Sequence, residues 1–262
     1  MQTVRDFSAA KSAGRKIVMV TAYDAPSARL LADVPVDCVL VGDSVMMTVH
    51  GETDTLGATP DLMALHTRAV VRGQPGCFIV ADMPFLATRK GRKFAVECAA
   101  GLLRAGAQAV KIEGAQGNLK IIRHLVDSGI PVMGHLGLLP QSVHATGGYK
   151  VQARTSVAAK QLRKDAAALQ TVGVFAVVLE CIPAELSRAV TAELAIPTIG
   201  IGAGVHCDGQ VLVWHDLLGL SSAPQPRLVR TFGTTGKSIQ RALLNYATAV
   251  QKGKFPAPKE SF

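Results

Sequence analysis

Ala109-Val110-Lys111-Ile112-Glu113-Gly114 is a short apolar run closed by a glycine, with Gly106 standing just ahead of it. Such a run predicts a buried strand. Side chains alternate along a strand, so Ala109, Lys111 and Glu113 share one face and Val110 and Ile112 the other. A lysine and a glutamate on a buried face cost free energy unless they are paired, hydrogen-bonded or bound to a metal. A structural ion pair between the two would satisfy this strand taken alone, and only the rest of the chain can weigh against it.

Outward from that run the same grammar repeats. Apolar runs at 17–23, 38–44 and 78–84 precede it, and runs at 131–137, 174–181, 197–204 and 210–216 follow. Near-continuous apolar character suits parallel strands buried on both faces. Helical stretches separate most of them, among them 93–105, 117–127, 155–170 and a last one at 234–252, which follows a proline-containing linker. Eight strands with intervening helices in 262 residues predict an α/β protein, a (β/α)8 TIM barrel. That fold commonly takes about 250 residues. A single barrel domain is expected over 1–262, with a polar lead-in and a polar tail at 253–262. An open doubly wound sheet is the alternative. Gly200-Ile201-Gly202-Ala203-Gly204 lends it little, because the spacing departs from GxGxxG.

The composition is 48% hydrophobic, enough for a large core and against disorder. No apolar run approaches the roughly 18 residues of a membrane span. Residues 1–13 are polar and lack the apolar segment of a signal peptide. The five cysteines (Cys38, Cys77, Cys98, Cys181, Cys207) stand singly, with no CxxC pair, which fits a reducing cytoplasm. The formal net charge is +9, but the basic residues are dispersed and aromatics make up 5%. A nucleic-acid partner is therefore not expected; a solvated surface or small anionic substrates account for the charge.

Aligned on their last apolar residues, four of the predicted strands end in carboxylates: Asp43, Asp82, Glu113 and Glu180. A barrel gathers these ends at one mouth, where barrel active sites sit. His135 and His215 occupy equivalent positions on the fifth and eighth runs. Several carboxylates at one mouth raise one another's pKa unless a cation stands between them. Hard oxygen donors select Mg²⁺ or a similar ion, which takes one or two carboxylates and leaves positions for water and substrate. Zinc is disfavoured, since paired cysteines and HxxxH are absent. Asp43 and Asp82 are the expected direct ligands, and Glu113 binds directly or through water. Lys111 suits the carboxylate or developing oxyanion of a small acidic substrate, leaving Glu180 as a candidate general base. This set fits a 2-oxo acid that chelates the metal and is enolised by it.

The segments Val41-Gly42-Asp43-Ser44, Ala81-Asp82-Met83-Pro84-Phe85, Val110-Lys111-Ile112-Glu113-Gly114 and Gly134-His135-Leu136-Gly137-Leu138 resemble the ketopantoate hydroxymethyltransferase family. So do Pro140-Gln141-Ser142, Gly147-Gly148-Tyr149-Lys150, Leu179-Glu180-Cys181-Ile182-Pro183, the glycine turn at 199–204 and Cys207-Asp208-Gly209-Gln210-Val211-Leu212-Val213. The resemblance runs in order over about 5–255. It implies the barrel of the phosphoenolpyruvate/pyruvate type. It implies hydroxymethyl transfer from 5,10-methylenetetrahydrofolate to 3-methyl-2-oxobutanoate, giving 2-dehydropantoate for pantothenate synthesis. By the same resemblance Asp43, Asp82 and Glu113 are metal-site residues for one Mg²⁺ per subunit. Asp43, Ser44, Asp82 and Lys111 are substrate contacts, Glu180 is the proton acceptor, and the assembly is a homodecamer. A metal-dependent 2-oxo-acid lyase or decarboxylase, and a non-catalytic ligand-binding relative, are the alternatives.

The chain departs from the family pattern after Phe85, where a basic loop Arg89-Lys90-Gly91-Arg92-Lys93 stands, and at Leu56-Gly57-Ala58-Thr59 and Val45-Met46-Met47. The basic loop reads either as a solvated face or as a contact for folate's anionic glutamate tail. His135 is expected to support the site rather than bind metal. His215 is expected at a strand end with a structural role, Cys181 is expected to face away from Glu180, and Trp214 to pack.

Overall fold

The computed structural model describes residues 2–221 and 227–262; part of the expected proline-containing linker, at 222–226, lies outside the described residues. The chain falls into two compact units, one ending at Val213 and one beginning at Trp214. The first holds eight strands: β1 (Ile17–Thr21), β2 (Cys38–Val41), β3 (Phe78–Asp82), β4 (Ala109–Glu113), β5 (Val132–Gly137), β6 (Ala176–Glu180), β7 (Thr198–Ile201) and β8 (Gly209–Leu212). All neighbours pair in parallel and β8 closes onto β1. The helices of this unit are α1 (Val4–Ser12), α2 (Ala25–Leu31), α3 (Val45–Thr48), α4 (Pro60–Arg72), α5 (Arg92–Arg104), α6 (Leu119–Asp127), α7 (Val143–Thr146), α8 (Ser156–Thr171) and α9 (Ala184–Glu193). The architecture is a (β/α)8 barrel.

Alternation fixes what fills it. Ile17 and Met19, Cys38 and Leu40, Phe78 and Val80, Ala109, Met133, Ala176 and Val178 point inward and form one continuous core. The expected lead-in contributes to that core. Its helix α1 sets Phe7 and Ala10 against the strand starts, and Phe7 meets Phe78 and Phe175 edge-on at 5.3 and 5.1 Å between ring centroids. With Phe7 fully buried, Phe7→Ala removes an aromatic plug and leaves a cavity. The expected cost is ~3–5 kcal/mol, or a fall of roughly 10 °C in Tm for a unit of this size. Thermal unfolding checks it, and the KM of the folded enzyme should not move, because the plug lies at the end away from the strand C-termini.

The strands are shorter than the apolar runs, and the eighth differs in kind. Residues expected to extend it to 216 form α10 (Trp214–Leu218) instead. Trp214, Leu217 and Leu218 recur at i, i+3 and i+4, a helical rather than an alternating period. Gly219, at φ +68°, lets the helix end, with the Leu220 N–H returning to the His215 carbonyl. His215 is therefore a helical residue of the second unit and not a strand-end partner of His135. That unit also carries α11 (Thr235–Gln251), on which no side chain is fully buried. Among the described residues no helix is long and apolar enough to cross a membrane.

Candidate active site

The C-terminal strand ends of the barrel enclose a cavity of about 100 Å³, lined among others by Asp43, Asp82, Lys111, Glu113, His135 and Glu180. Strand register brings these groups together. Asp82 is the cross-strand neighbour of Lys111, and Glu113 of His135. Lys111 Nζ lies 2.9 Å from Asp82 Oδ1, with the two side chains 5% and 4% exposed. The lysine thus pairs with Asp82 on the next strand rather than with Glu113 on its own. Burial alone would push the Lys111 ammonium down, but Asp82, Glu113 and Asp43 outweigh it and hold the pKa above the usual lysine value.

His135 stands between Glu113 and Glu180. Its Nδ1 is 3.2 Å from Lys111 Nζ and 3.5 Å from Glu113 Oε1, and its Nε2 is 3.1 Å from Glu180 Oε2. An ammonium only donates, so the Lys111 contact leaves the neutral ring's proton on Nε2, facing Glu180. Burial and the Lys111 charge disfavour the imidazolium; Glu113 and Glu180 favour it more, and the net shift is upward. The approach of β5 to Glu180 depends on Gly137. It sits at φ +97°, and a Cβ there would run into the Glu180 carbonyl. An alanine would pay for both the dihedral and the clash.

Asp43 follows Gly42 at the end of β2, its N–H donating to Asp82 Oδ2 at 3.0 Å. Next to it, Ser44 Oγ is 2.8 Å from the Tyr23 hydroxyl. The buried Tyr23 phenol is itself pushed up to about 12, chiefly by desolvation. The Asp43 carboxyl is raised well above its ordinary value. Burial is the first cause, then the charges of Asp82 and Glu113, which Lys111 and Gln141 only partly offset. Cys181, beside Glu180, is buried with its thiol raised to about 11 by desolvation and Glu180, so it is no thiolate nucleophile.

Sequence reasoning passes over Gln141 and Asn118. Gln141 Nε2 donates to Asp43 Oδ2 at 2.7 Å and to the Met83 carbonyl at 3.0 Å, and its N–H donates to Glu113 Oε2 at 3.1 Å. One loop residue thereby ties the ends of three strands. Asn118 Nδ2 donates to the carbonyls of Glu113 and Gly114, fixing the turn that aims Glu113. The only signal for Gln141 in the sequence was its place in the Pro140-Gln141-Ser142 segment.

Asp43, Asp82 and Glu113 offer hard oxygen donors. Among the described residues, no three or more carboxylate, histidine or cysteine groups form a ready-made coordination cluster. The donors nevertheless suit a divalent cation. Asp43 carries more negative charge around it than its neighbours neutralise, and Asp82 Oδ1 is buried without a hydrogen-bond partner beyond its ion pair. Mg²⁺ needs only one or two protein carboxylates, with water and substrate completing the octahedron.

A profile of the family described as ketopantoate hydroxymethyltransferase matches residues 1–258. The 3-methyl-2-oxobutanoate hydroxymethyltransferase of Bdellovibrio bacteriovorus is 50% identical over 262 residues, covering 100% of both chains. The protein of the same name from Legionella pneumophila subsp. pneumophila is 50% identical over 260 residues, 99% of each. Among solved structures, 2,3-dimethylmalate lyase, of the PEP mutase/isocitrate lyase superfamily, superposes with a TM-score of 0.61. It has 16% identity and covers 100% of this chain and 92% of its own, a likeness of fold alone. The chain belongs to the ketopantoate hydroxymethyltransferase family and is a hydroxymethyltransferase.

Proposed function

We propose that the enzyme transfers a hydroxymethyl group from 5,10-methylenetetrahydrofolate to 3-methyl-2-oxobutanoate, giving 2-dehydropantoate, at the mouth cavity of the barrel. The observation that carries this reading is the pairing of a buried ammonium, Lys111, with four carboxylates around about 100 Å³ of space, room for a small anionic oxo acid. In this reading Asp43 and Asp82, with Glu113 directly or through water, hold a Mg²⁺ ion. Bound there, the ion supplies Lewis acidity to the oxo group.

The chain's own groups do the rest. Lys111 faces the negative charge that develops on the substrate oxygen as C3 loses its proton. Glu180 accepts that proton, and His135, 3.1 Å away, holds the carboxylate in place from the buried side. Ser44, fixed by Tyr23, contacts the substrate carboxylate. The C3 carbanion forms a carbon–carbon bond to the one-carbon unit. One water supplies the oxygen of the new hydroxyl, and tetrahydrofolate leaves with its two nitrogens protonated. The assembly in this reading is a homo-oligomer, of ten copies by family resemblance. Ile239, Leu243, Tyr246 and Val250 support it: they recur at helical spacing on α11 and are all exposed.

The purified protein is expected to form 2-dehydropantoate only when the oxo acid, methylenetetrahydrofolate and Mg²⁺ are all present. Without folate it should still exchange the C3 hydrogen of the oxo acid with D₂O, and chelation followed by Mg²⁺ add-back should switch that exchange off and on. Cleavage or decarboxylation of the oxo acid in the absence of folate would overturn the assignment.

A further inference from the structure

The mouth cavity is too small for a folate, and Glu113 belongs to two cavities. The second, of about 340 Å³, lies between the loop after β4, the end of β5 and α8. This is the lower end of the usual range for ligand sites. Its wall is apolar at Leu136, Leu139 and Leu162 and polar at Gln116, Gln161 and Asp165. Neither the family resemblance nor the proposed mechanism gives these polar groups any work.

Their chemistry is specific. The Asp165 carboxylate accepts from Gln161 Nε2 at 2.8 Å on one oxygen and from Gln116 Nε2 at 3.4 Å on the other. The two amides orient it but leave lone pairs on both oxygens, since a carboxylate has about four acceptor sites. A carboxylate held with two oxygens forward complements a planar ligand edge that carries two parallel N–H donors. The aminopyrimidinone edge of a pterin is such an edge, and the flat ring behind it suits leucine walls. The rim adds a cation. Arg89 reaches from the basic loop to donate to the Gln116 carbonyl at 2.7 Å. It can lie there because position 117 is glycine: a Cβ would collide with the guanidinium.

Resting on the folate-dependent reading above, we propose that this second cavity seats the reduced pterin of the co-substrate. Asp165 recognises its aminopyrimidinone edge, and Arg89 faces the carboxylates of its glutamyl tail. The shared wall at Glu113 then brings the one-carbon unit to the mouth cavity without either ligand leaving its own site.

The test uses the full-length enzyme with Mg²⁺ and two readouts: the KM for methylenetetrahydrofolate, and folate-independent exchange of the oxo acid C3 hydrogen. Asp165→Asn is expected to raise that KM roughly tenfold or more, as the loss of a charge-assisted hydrogen bond predicts, while C3 exchange stays at the wild-type rate and Asp165→Glu recovers part of the KM. Arg89→Ala should erase any preference for pentaglutamyl over monoglutamyl methylenetetrahydrofolate. Ala158→Phe, on the cavity lining, should block folate turnover and spare exchange, which also shows that the variant folds. An unchanged folate KM in both Asp165→Asn and Ala158→Phe, with exchange intact, overturns the pterin site. Failure of the wild-type enzyme to exchange C3 or to use folate overturns the functional reading instead.

Discussion

Glu180→Gln is expected to leave the oxo acid bound but to slow exchange of its C3 hydrogen by roughly 10²–10⁴-fold, the usual worth of a positioned general base. The substitution is nearly isosteric, and the amide oxygen can still face His135 Nε2, so the cavity keeps its shape. It removes the carboxylate of the mouth least engaged by its neighbours: among the described residues Asp82 meets Lys111, Asp43 and Glu113 meet Gln141, and the Glu180 carboxylate meets His135. Its side chain is 16% exposed against 6% for Glu113 and 4% for Asp82, so it is the more accessible acid for a substrate carbon. Exchange is followed by proton NMR in D₂O and binding by calorimetry on the same sample. Wild-type exchange in this variant removes Glu180 as the base. Lost binding with lost exchange would instead make it a substrate contact.

The barrel was legible because each strand is a near-continuous apolar run, a pattern set by burial on both faces and not by distant contacts. The acidic strand ends were legible for the same reason: a carboxylate that closes an apolar run stands out. What the pattern could not hold was register. Which carboxylate Lys111 meets depends on how β3 slides against β4, and the observed Asp82–Lys111 pairing is a property of the closed sheet. Strand eight was overrun because Trp214 continues the apolar run Val211-Leu212-Val213, while the helical spacing shows only when Leu217 and Leu218, beyond the expected end at 216, are read with it. Gln141 and Asp165 escaped for a different reason. One lies in the short 3-10 turn Pro140–Ser142 that follows β5 and the other on a half-exposed helix face, where a polar residue is the commonest occupant and sequence carries no sign of what it turns toward.

Lys111→Met separates electrostatic from packing contributions at the centre of the site. The thioether replaces most of the buried aliphatic stem, so the packing loss is small. The charge loss is not. Asp82 is left buried without its counter-ion, beside an Asp43 carboxyl that already sits above its normal range. Breaking one side of a buried pair typically costs ~3–5 kcal/mol, and Tm should fall by roughly 10 °C or more for a domain of this size. Two companion measurements identify the cause. Adding Asp82→Asn to Lys111→Met removes the stranded charge and should restore part of the lost stability, a coupling that unrelated sites would not show. Mg²⁺ should raise the Tm of Lys111→Met by more than that of the wild type, because the ion neutralises carboxylates that the lysine no longer does and binds only the folded chain. Turnover should remain lost in every combination, since no other lysine or arginine is found among the described side chains of the cavity lining to face the developing oxyanion. If Lys111→Met melts with the wild type, or Asp82→Asn deepens the loss, then Lys111 is held for shape and the charge balance of the mouth is set elsewhere.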